Sequence, residues 1–268
     1  MKRQASVWRR AGQRVVLVPT MGALHEGHRS LIQLARRKAR VDGVVVVSIY
    51  VNPMQFNDSR DLKVYPRSLA ADKKLCREES VDAVFAPVSL YEKDASVVLA
   101  ENDLTSCLEG GCRPGHFAGV MTVVAKLFNL IVPDFSVFGE KDFQQAVVIK
   151  RMVRDLNFPV SILLGPTKRE LDGLAMSSRN LLLTGPRRRQ GAVLFKAIEL
   201  SRQSLGSRAA DLKRKLKRMI EKEPDARVDY IEFVDTLNLK PVKVARKGNR
   251  ILLAVQVGPV RLIDNGLL

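Results

Sequence analysis

The sequence predicts a doubly wound α/β domain followed by a smaller α+β domain, and three observations support this fold class. Strand-like and helix-like segments alternate through the first two-thirds of the 268 residues. The run 43–51 is β-branched and nearly continuous, which is typical of a strand buried on both faces of a parallel sheet. After residue 180 the chain changes to basic helical segments and short strands. We therefore expect a Rossmann-like parallel sheet domain over 1–178 and a smaller C-terminal α+β domain over 179–268.

Each element of the first domain rests on its apolar pattern. The run 14–18 is a short strand that ends at Pro19, and 26–40 places apolar residues among basic ones, as an amphipathic helix does. A polar loop is expected over 52–58. The remaining predictions are strands at 82–86, 135–138 and 160–164 and helices at 68–79, 117–131 and 144–156. In the second domain, 186–222 is predicted to be mostly helical, with strands at 228–234, 250–257 and 261–263.

Composition bounds the compartment and the partners. The chain carries 45 Lys and Arg against 28 Asp and Glu, a net charge of +17, and residues 181–268 alone have 19 basic and 9 acidic side chains. Such charge suits nucleic acid, anionic lipid or acidic small substrates without choosing among them. Three cysteines without a CxxC pair predict reduced thiols in the cytoplasm. The basic start lacks a signal-peptide core, and no apolar run reaches the ~20 residues that span a bilayer.

Two of the three histidines fall in the tetrapeptide His25-Glu26-Gly27-His28, between a predicted strand and a predicted helix. The spacing of three puts both imidazoles on one helical face. A helix N-terminus offers backbone N–H groups and the positive end of its dipole, so we expect an anion site there. The alternatives are two surface histidines, or a zinc site for which no third ligand is evident.

Two further clusters lie where an open α/β sheet binds nucleotides. One is GEKDFQQ (139–145), in which Lys141 stands beside a helix start and Gln145 one turn later; a simple N-cap at Asp142 is the alternative. The other is MSSRN (176–180), whose hydroxyls and guanidinium suit phosphate oxygens, although it could be an ordinary polar linker.

These segments, in this order, resemble the pantoate–β-alanine ligase (pantothenate synthetase) family. The resemblance covers nearly the whole chain, and the His-x-Gly-His element is also similar to that of the wider nucleotidyltransferase superfamily. The segments that carry it are PTMGALHEGH (19–28), NPMQF (52–56), YPR (65–67), RPGHF (113–117), GEKDFQQ (139–145), DGLAMSSRN (172–180) and RLIDN (261–265).

The resemblance implies ATP-dependent condensation of pantoate with β-alanine through a pantoyl adenylate, which releases pyrophosphate and AMP. It implies Mg²⁺ with ATP, a homodimer, and a C-terminal domain that closes over the site. The composition itself predicts no membrane partner and disfavours a nucleic-acid partner. The catalytic residues would be His25, His28, Lys141 and Arg179. Met21, Gly139, Asp142, Met176, Ser177 and Ser178 would join them in binding ATP. Gln55 and Gln145 would bind pantoate, Asn52, Arg113 and His116 would lie on the substrate side, and Asp72 would bind magnesium.

The chain also departs from the family pattern. It starts late, so the leading strand and helix before the first long strand are expected to be missing. The segment 57–64 diverges from the family sequence, so the sequence does not decide whether it acts as a lid.

The resemblance also implies that Val120, Val123 and Val124 contact pantoate's methyl groups. These valines could equally be core positions of a helix.

Two rival functions remain open. One is a different nucleotidyltransferase of the same fold, against which Gln55 and Gln145 argue because they belong to the pantoate pattern. The other is an RNA-binding protein, suggested by the basic C-terminal region. Only 6% of the residues are aromatic, which disfavours base stacking. We therefore interpret the basic helices as a solvated face.

Overall fold

The computed structural model describes residues 1–57 and 59–268, and it divides into two compact units. The first unit contains Met1–Glu140 and Gln145–Pro166, and the second contains Lys141–Gln144 and Thr167–Leu268. The second unit therefore starts earlier than the 178/179 boundary drawn from the change in composition. It also includes a short segment from the middle of the chain. Residue 58, which belongs to the predicted loop 52–58 and to the divergent segment 57–64, lies outside the described residues.

The first unit is built on a five-stranded parallel sheet with the strand order β3-β2-β1-β4-β5. The order reverses beside β1, which makes the sheet doubly wound. Residues 15–18 and 44–47 are fully enclosed, because both faces of the central strands are covered. The strands are β1 (Val15–Thr20), β2 (Val44–Ile49), β3 (Ala83–Phe85), β4 (Phe135–Gly139) and β5 (Ser161–Gly165).

Seven α-helices accompany this sheet in the described part of the chain. They are α1 (Lys2–Arg10), α2 (Glu26–Ala39), α3 (Ser59–Val64), α4 (Leu69–Glu78), α5 (Leu108–Cys112), α6 (His116–Ile131) and α7 (Phe143–Asp155). Helix α1 corrects the expectation that the leading helix is missing. Its Trp8 and Ala5 are buried, so a helix that looks basic in the sequence still has an apolar face.

The second unit packs three helices and a three-stranded antiparallel sheet around its own core. The sheet has the order β6-β7-β8. Leu212, Leu216 and Ile220 are buried along one face of the basic helix α10, whereas its Lys and Arg residues lie on the other faces. The elements are α8 (Pro186–Gln190), α9 (Val193–Arg202), α10 (Ala209–Ile220), β6 (Ala226–Val234), β7 (Arg250–Val257) and β8 (Val260–Leu267).

The predicted fold class is confirmed: a doubly wound parallel sheet and a separate smaller α+β unit. Most predicted elements lie within two residues of the observed ones. Among the described residues, no helix has both the length and the apolar character needed to cross a membrane.

Candidate active site

The two histidines of the His-x-Gly-His element form the N-terminal cap of α2, just beyond the end of β1. His25 is the N-cap residue, and its Nδ1 accepts the N–H of Gly27 at 3.1 Å. Nδ1 of His28 accepts the backbone N–H of His25 at 3.3 Å. The arrangement is a capping box in which imidazoles replace the usual hydroxyl and carboxylate. The ring centroids lie 4.2 Å apart.

These bonds assign the role of one nitrogen in each ring. A nitrogen that accepts an N–H cannot carry a proton, so each ring holds its proton on Nε2. Each imidazole is therefore a hydrogen-bond donor through Nε2–H, beside the backbone N–H groups of a helix start. Zinc fits this pair poorly, because Nδ1 accepts a backbone N–H and Nε2 carries the proton in both rings. The described residues also contain no group of three His, Cys, Asp or Glu side chains that could hold a metal ion.

A second group of predicted residues surrounds Gln55 in the short 3₁₀ helix Pro53–Gln55 that follows β2. Asn52 caps this turn by accepting the N–H of Met54 at 3.3 Å. Its amide donates to Oε1 of Gln55 at 3.2 Å, and Nε2 of Gln55 lies 3.0 Å from Sδ of Met21. The structure thus brings Met21, Asn52 and Gln55 together, with the Gln55 side chain fixed at both ends of its amide.

His116 and Arg113 reach the same turn through its backbone. Nδ1 of His116 lies 2.7 Å from the carbonyl oxygen of Gln55, and Nη2 of Arg113 donates to that oxygen at 3.4 Å. The close approach of α6 requires Gly119, because a Cβ there would lie 2.4 Å from the carbonyl oxygen of Met54. Val120, Val123 and Val124 are buried in α6, as either interpretation of them requires.

Sequence reasoning missed Tyr91, which supports this turn from a loop without regular structure. Its hydroxyl donates to Oδ1 of Asn52 at 3.0 Å. Burial, followed by the proximity of Tyr50, raises the pKa of Tyr91 to about 12, so the phenol stays protonated and remains a donor. Nothing in the local sequence around Tyr91 marks it, because its partner lies in another segment of the chain.

Asp72, the predicted magnesium ligand, is bound by the backbone in this structure. Its side chain is 2% exposed on α4, and both carboxylate oxygens accept backbone N–H groups. Oδ2 accepts from Ala23 at 3.1 Å, and Oδ1 accepts from Leu24 at 2.7 Å. The carboxylate thus has a structural contact that the sequence did not reveal, and magnesium binding by Asp72 stays a prediction.

Two more predicted residues of the first unit lie near the same edge of the sheet. Gly139 is the last residue of β4, paired with Gly165 of β5, and Gln145 lies in the first turn of α7. Gly139 thus stands at the carboxyl end of β4, which neighbours β1, and Gln145 follows that end in the chain, as the sequence pattern predicts.

Lys141 and Asp142 follow β4 in the chain but belong to the second unit. Nζ of Lys141 lies 3.8 Å from Oδ1 of Asp142. The Lys141 carbonyl accepts the Nδ2–H of Asn265, on β8, at 2.8 Å. The guanidinium of Arg250 stacks 4.0 Å above the Phe143 ring and donates to Oδ1 of Asn265.

The MSSRN motif forms the N-terminal cap of a short helix in the second unit. Ser177 is the N-cap of the 3₁₀ helix Ser178–Leu182, and its Oγ accepts the N–H of Arg179 at 3.2 Å. The N–H of Met176 donates to the carbonyl of Lys168 at 2.9 Å. Ser178 is buried, whereas Arg179 is partly exposed.

An ion pair that the sequence did not reveal supports this motif. Arg169 binds Asp264 with both ends of its guanidinium, at 2.6 and 2.9 Å. The Asp264 side chain is 1% exposed, and Arg169 also stacks on Phe195 at 4.7 Å. The pair joins the segment before MSSRN to β8 within the second unit.

Comparison with known proteins gives consistent results. The family model for pantoate-beta-alanine ligase matches residues 1–267. A pantothenate synthetase of Akkermansia muciniphila is 49% identical over 94% of this chain and 91% of that protein. A crystal structure of pantothenate synthetase from Thermus thermophilus superposes with a TM-score of 0.90 and 41% identity, over 98% of this chain and 97% of that one. The Francisella tularensis ligase, complexed with beta-gamma ATP and beta-alanine, has a TM-score of 0.80 and 36% identity over 99% and 95% of the two chains.

Proposed function

The chain belongs to the pantoate-beta-alanine ligase family, and we propose how its residues carry out that reaction. It is a ligase of pantothenate biosynthesis that couples ATP to the condensation of pantoate with β-alanine. The reaction has two steps. A pantoate carboxylate oxygen attacks the α-phosphorus of ATP and pyrophosphate leaves. The β-alanine amine then attacks the acyl carbon of the adenylate, loses a proton and releases AMP.

The observation that supports our assignment of roles best is the double imidazole cap of α2. Both rings are held with Nδ1 on the backbone, so each presents Nε2–H as a donor without reorganisation. Preorganised donors stabilise charge that develops on phosphate oxygens in the transition state. We assign His25 and His28 to the phosphates of ATP, with the N-terminus of α2 adding its backbone N–H groups.

The turn around Gln55 is our proposed pantoate site. An amide group can donate to the hydroxyl and carboxylate oxygens of pantoate and accept from its hydroxyls, and Gln145 supplies a second amide. Asn52, Arg113 and His116 would act on this side by holding the Gln55 turn in place. Met21 and the buried valines of α6 offer apolar surface for the methyl groups.

We assign the nucleotide contacts of the second unit to the Lys141–Asp142 segment and the MSSRN motif. Lys141 and Arg179 would neutralise phosphate charge, and the hydroxyls of Ser177 and Ser178 would donate to phosphate oxygens. Met176 would lie beside the nucleotide, and Asp142 would accept from the ribose together with Gly139 of the first unit. We also propose that this unit closes over the site.

Magnesium enters our proposal as the counter-ion of ATP. We assign no coordinating role to Asp72, because both of its oxygens accept backbone N–H groups.

We further propose a cytoplasmic homodimer. The free thiols of Cys76 and Cys112 suit a reducing compartment. Light scattering on the purified chain tests the dimer, and cell fractionation tests the compartment.

The decisive experiment measures AMP formation by the purified chain. We expect AMP only when ATP, Mg²⁺, pantoate and β-alanine are all present. ATP–pyrophosphate exchange should require ATP, Mg²⁺ and pantoate but not β-alanine. Omission of each component is the control. Equal turnover with another small hydroxy acid in place of pantoate would contradict the substrate assignment and favour the other nucleotidyltransferases of this fold.

A filter-binding titration addresses the RNA-binding alternative. Several cations of α10 are paired with acids, for example Lys213 with Glu232, which reduces the charge that this helix offers to a phosphate backbone. RNA retention at physiological ionic strength with a steep salt dependence would favour that alternative.

A further inference from the structure

The loop between β1 and α2 has an unusual backbone. Gly22 has a φ of +84°, and Ala23 has a φ of +50°, in the left-handed region that side chains other than glycine rarely adopt. This conformation turns the chain sharply from Thr20 to the N-cap at His25. A strained loop persists only where its surroundings fix it, so the contacts of this loop are of interest.

Asp72 provides those contacts from a distant part of the chain. Its two oxygens accept the consecutive N–H groups of Ala23 and Leu24, immediately before His25. Oγ of Ser68 donates to Oδ1 at 3.3 Å, which orients the carboxylate from its own helix. The space is tightly filled, because a Cβ on Gly22 would lie 3.0 Å from Oδ2.

The helix that bears Asp72 is itself fastened to α2. Arg29 of α2 binds Glu78 at 2.8 Å and Glu79 at 2.5 Å at the far end of α4, and it also binds Glu26 at 2.9 Å. The Arg29 guanidinium holds the pKa of the Glu78 carboxyl below its usual range. Helix α4 is therefore attached to the histidine segment at both of its ends.

We infer that Asp72 is a positioning residue, whose buried carboxylate sets the two imidazoles through the N–H groups of Ala23 and Leu24. The connection is short. Asp72 fixes the peptide that precedes His25, the N–H of His25 fixes the His28 ring, and the His25 ring caps the helix. The inference rests on the proposed role of the histidines in adenylate formation.

The test compares Asp72→Asn with Asp82→Asn. Asparagine has the same shape but replaces one acceptor with an NH₂ group that would face a backbone N–H. Asp82 is the matched control, because it also accepts a backbone N–H, that of Val45 at 2.7 Å, but at the amino ends of the strands. For Asp72→Asn we expect kcat of ATP–pyrophosphate exchange to fall about 10- to 100-fold, since small misplacements of reacting groups cost rates of that order. For Asp82→Asn we expect a near wild-type rate.

Two readouts separate positioning from magnesium binding. The Mg²⁺ concentration for half-maximal exchange should be unchanged in Asp72→Asn; recovery of the rate at high Mg²⁺ would overturn the inference. The chain has three histidines, so their Cε1–H resonances are easily assigned. The signals of His25 and His28 should shift in Asp72→Asn, with a smaller change at His116 and none of comparable size in Asp82→Asn.

The resonance measurement needs no turnover. Unchanged His25 and His28 signals in Asp72→Asn would overturn the positioning role whatever the activity. If the wild-type chain shows no pantoate-dependent exchange, the proposed function fails while the resonance test of Asp72 still stands.

Discussion

The two units fasten their functional side chains in different ways. In the first unit, His25 and His28 sit at the end of a buried strand, and their rings bond to the backbone of their own helix. In the second unit, the Lys141 segment departs from β4 and is held by Asn265 and Arg250, more than one hundred residues further on. The first arrangement follows from sheet topology, because ligand sites form at the carboxyl ends of parallel strands. The second depends on side chains that only the tertiary structure brings together.

The largest effect is expected from a variant of the second unit that removes its buried ion pair. Asp264→Ala leaves the partly buried Arg169 without its carboxylate and should lower the free energy of unfolding by about 3–5 kcal/mol. Urea unfolding measures it. Asp229→Ala is the control, since its pair with Arg261 is more exposed and should be worth about 1 kcal/mol or less. Equal losses in both variants would contradict the importance of the buried pair.

His28→Ala breaks the first arrangement. Losing a preorganised donor should slow ATP–pyrophosphate exchange by about 10²–10³-fold. Alanine also removes the acceptor for the His25 N–H, so His28→Gln is the matched variant, because glutamine at this position completes an ordinary capping box. We expect the Gln variant to keep the wild-type melting temperature and still lose the rate. A Gln variant of nearly full activity would show that the ring serves only as a cap.

Asn265→Asp tests the fastening of Lys141 more gently. The carboxylate keeps an acceptor for Arg250 but has no N–H for the Lys141 carbonyl. We expect exchange to slow by about tenfold, in line with a small displacement of a charged group. Asn238→Ala, which alters only an exposed turn, should behave as wild type. An unaffected rate in Asn265→Asp would mean that Lys141 does not depend on β8.

The smallest expected effect concerns Cys76, which should resist alkylation. Burial, followed by the charge of Asp72, raises the pKa of the Cys76 thiol to about 11. Its thiolate fraction at pH 8 is therefore on the order of 10⁻³, whereas Cys112 is exposed. Iodoacetamide at pH 8 should modify Cys112 and leave Cys76 intact, as mass spectrometry of the tryptic peptides would show. Rapid alkylation of Cys76 would indicate that α4 opens readily from the first unit.

The local elements were predictable because their signals are local. The apolar runs of β1 and β2 and the periodicity of α2 identify those elements without any tertiary information. Helix α1 was missed because only Ala5 and Trp8 of its nine residues are buried. The beginning of the second unit was placed too late, because composition changes after residue 180 whereas the Arg169–Asp264 pair already fastens Thr167 onward.

The site shows the same division. The His-x-Gly-His element marked the start of a helix, and the structure places both histidines in its N-terminal cap. Asp72 was expected to bind magnesium because its position matches the family pattern, and the sequence does not show which backbone groups its oxygens accept. Nothing in the local sequence identifies Tyr91, because its hydroxyl donates to Asn52, which lies 39 residues away in the chain.

The imidazole cap of α2 also determines which ligand atoms this corner of the molecule tolerates. Both rings can only donate there as long as the helix keeps its cap, so the corner selects for oxygen-rich groups with lone pairs. An inhibitor that presents an ammonium or amide N–H at that point would face two further donors, and it could gain an acceptor only if an imidazole gave up its bond to the backbone. Ligand design against this surface should therefore place sulfonyl or phosphoryl oxygens there.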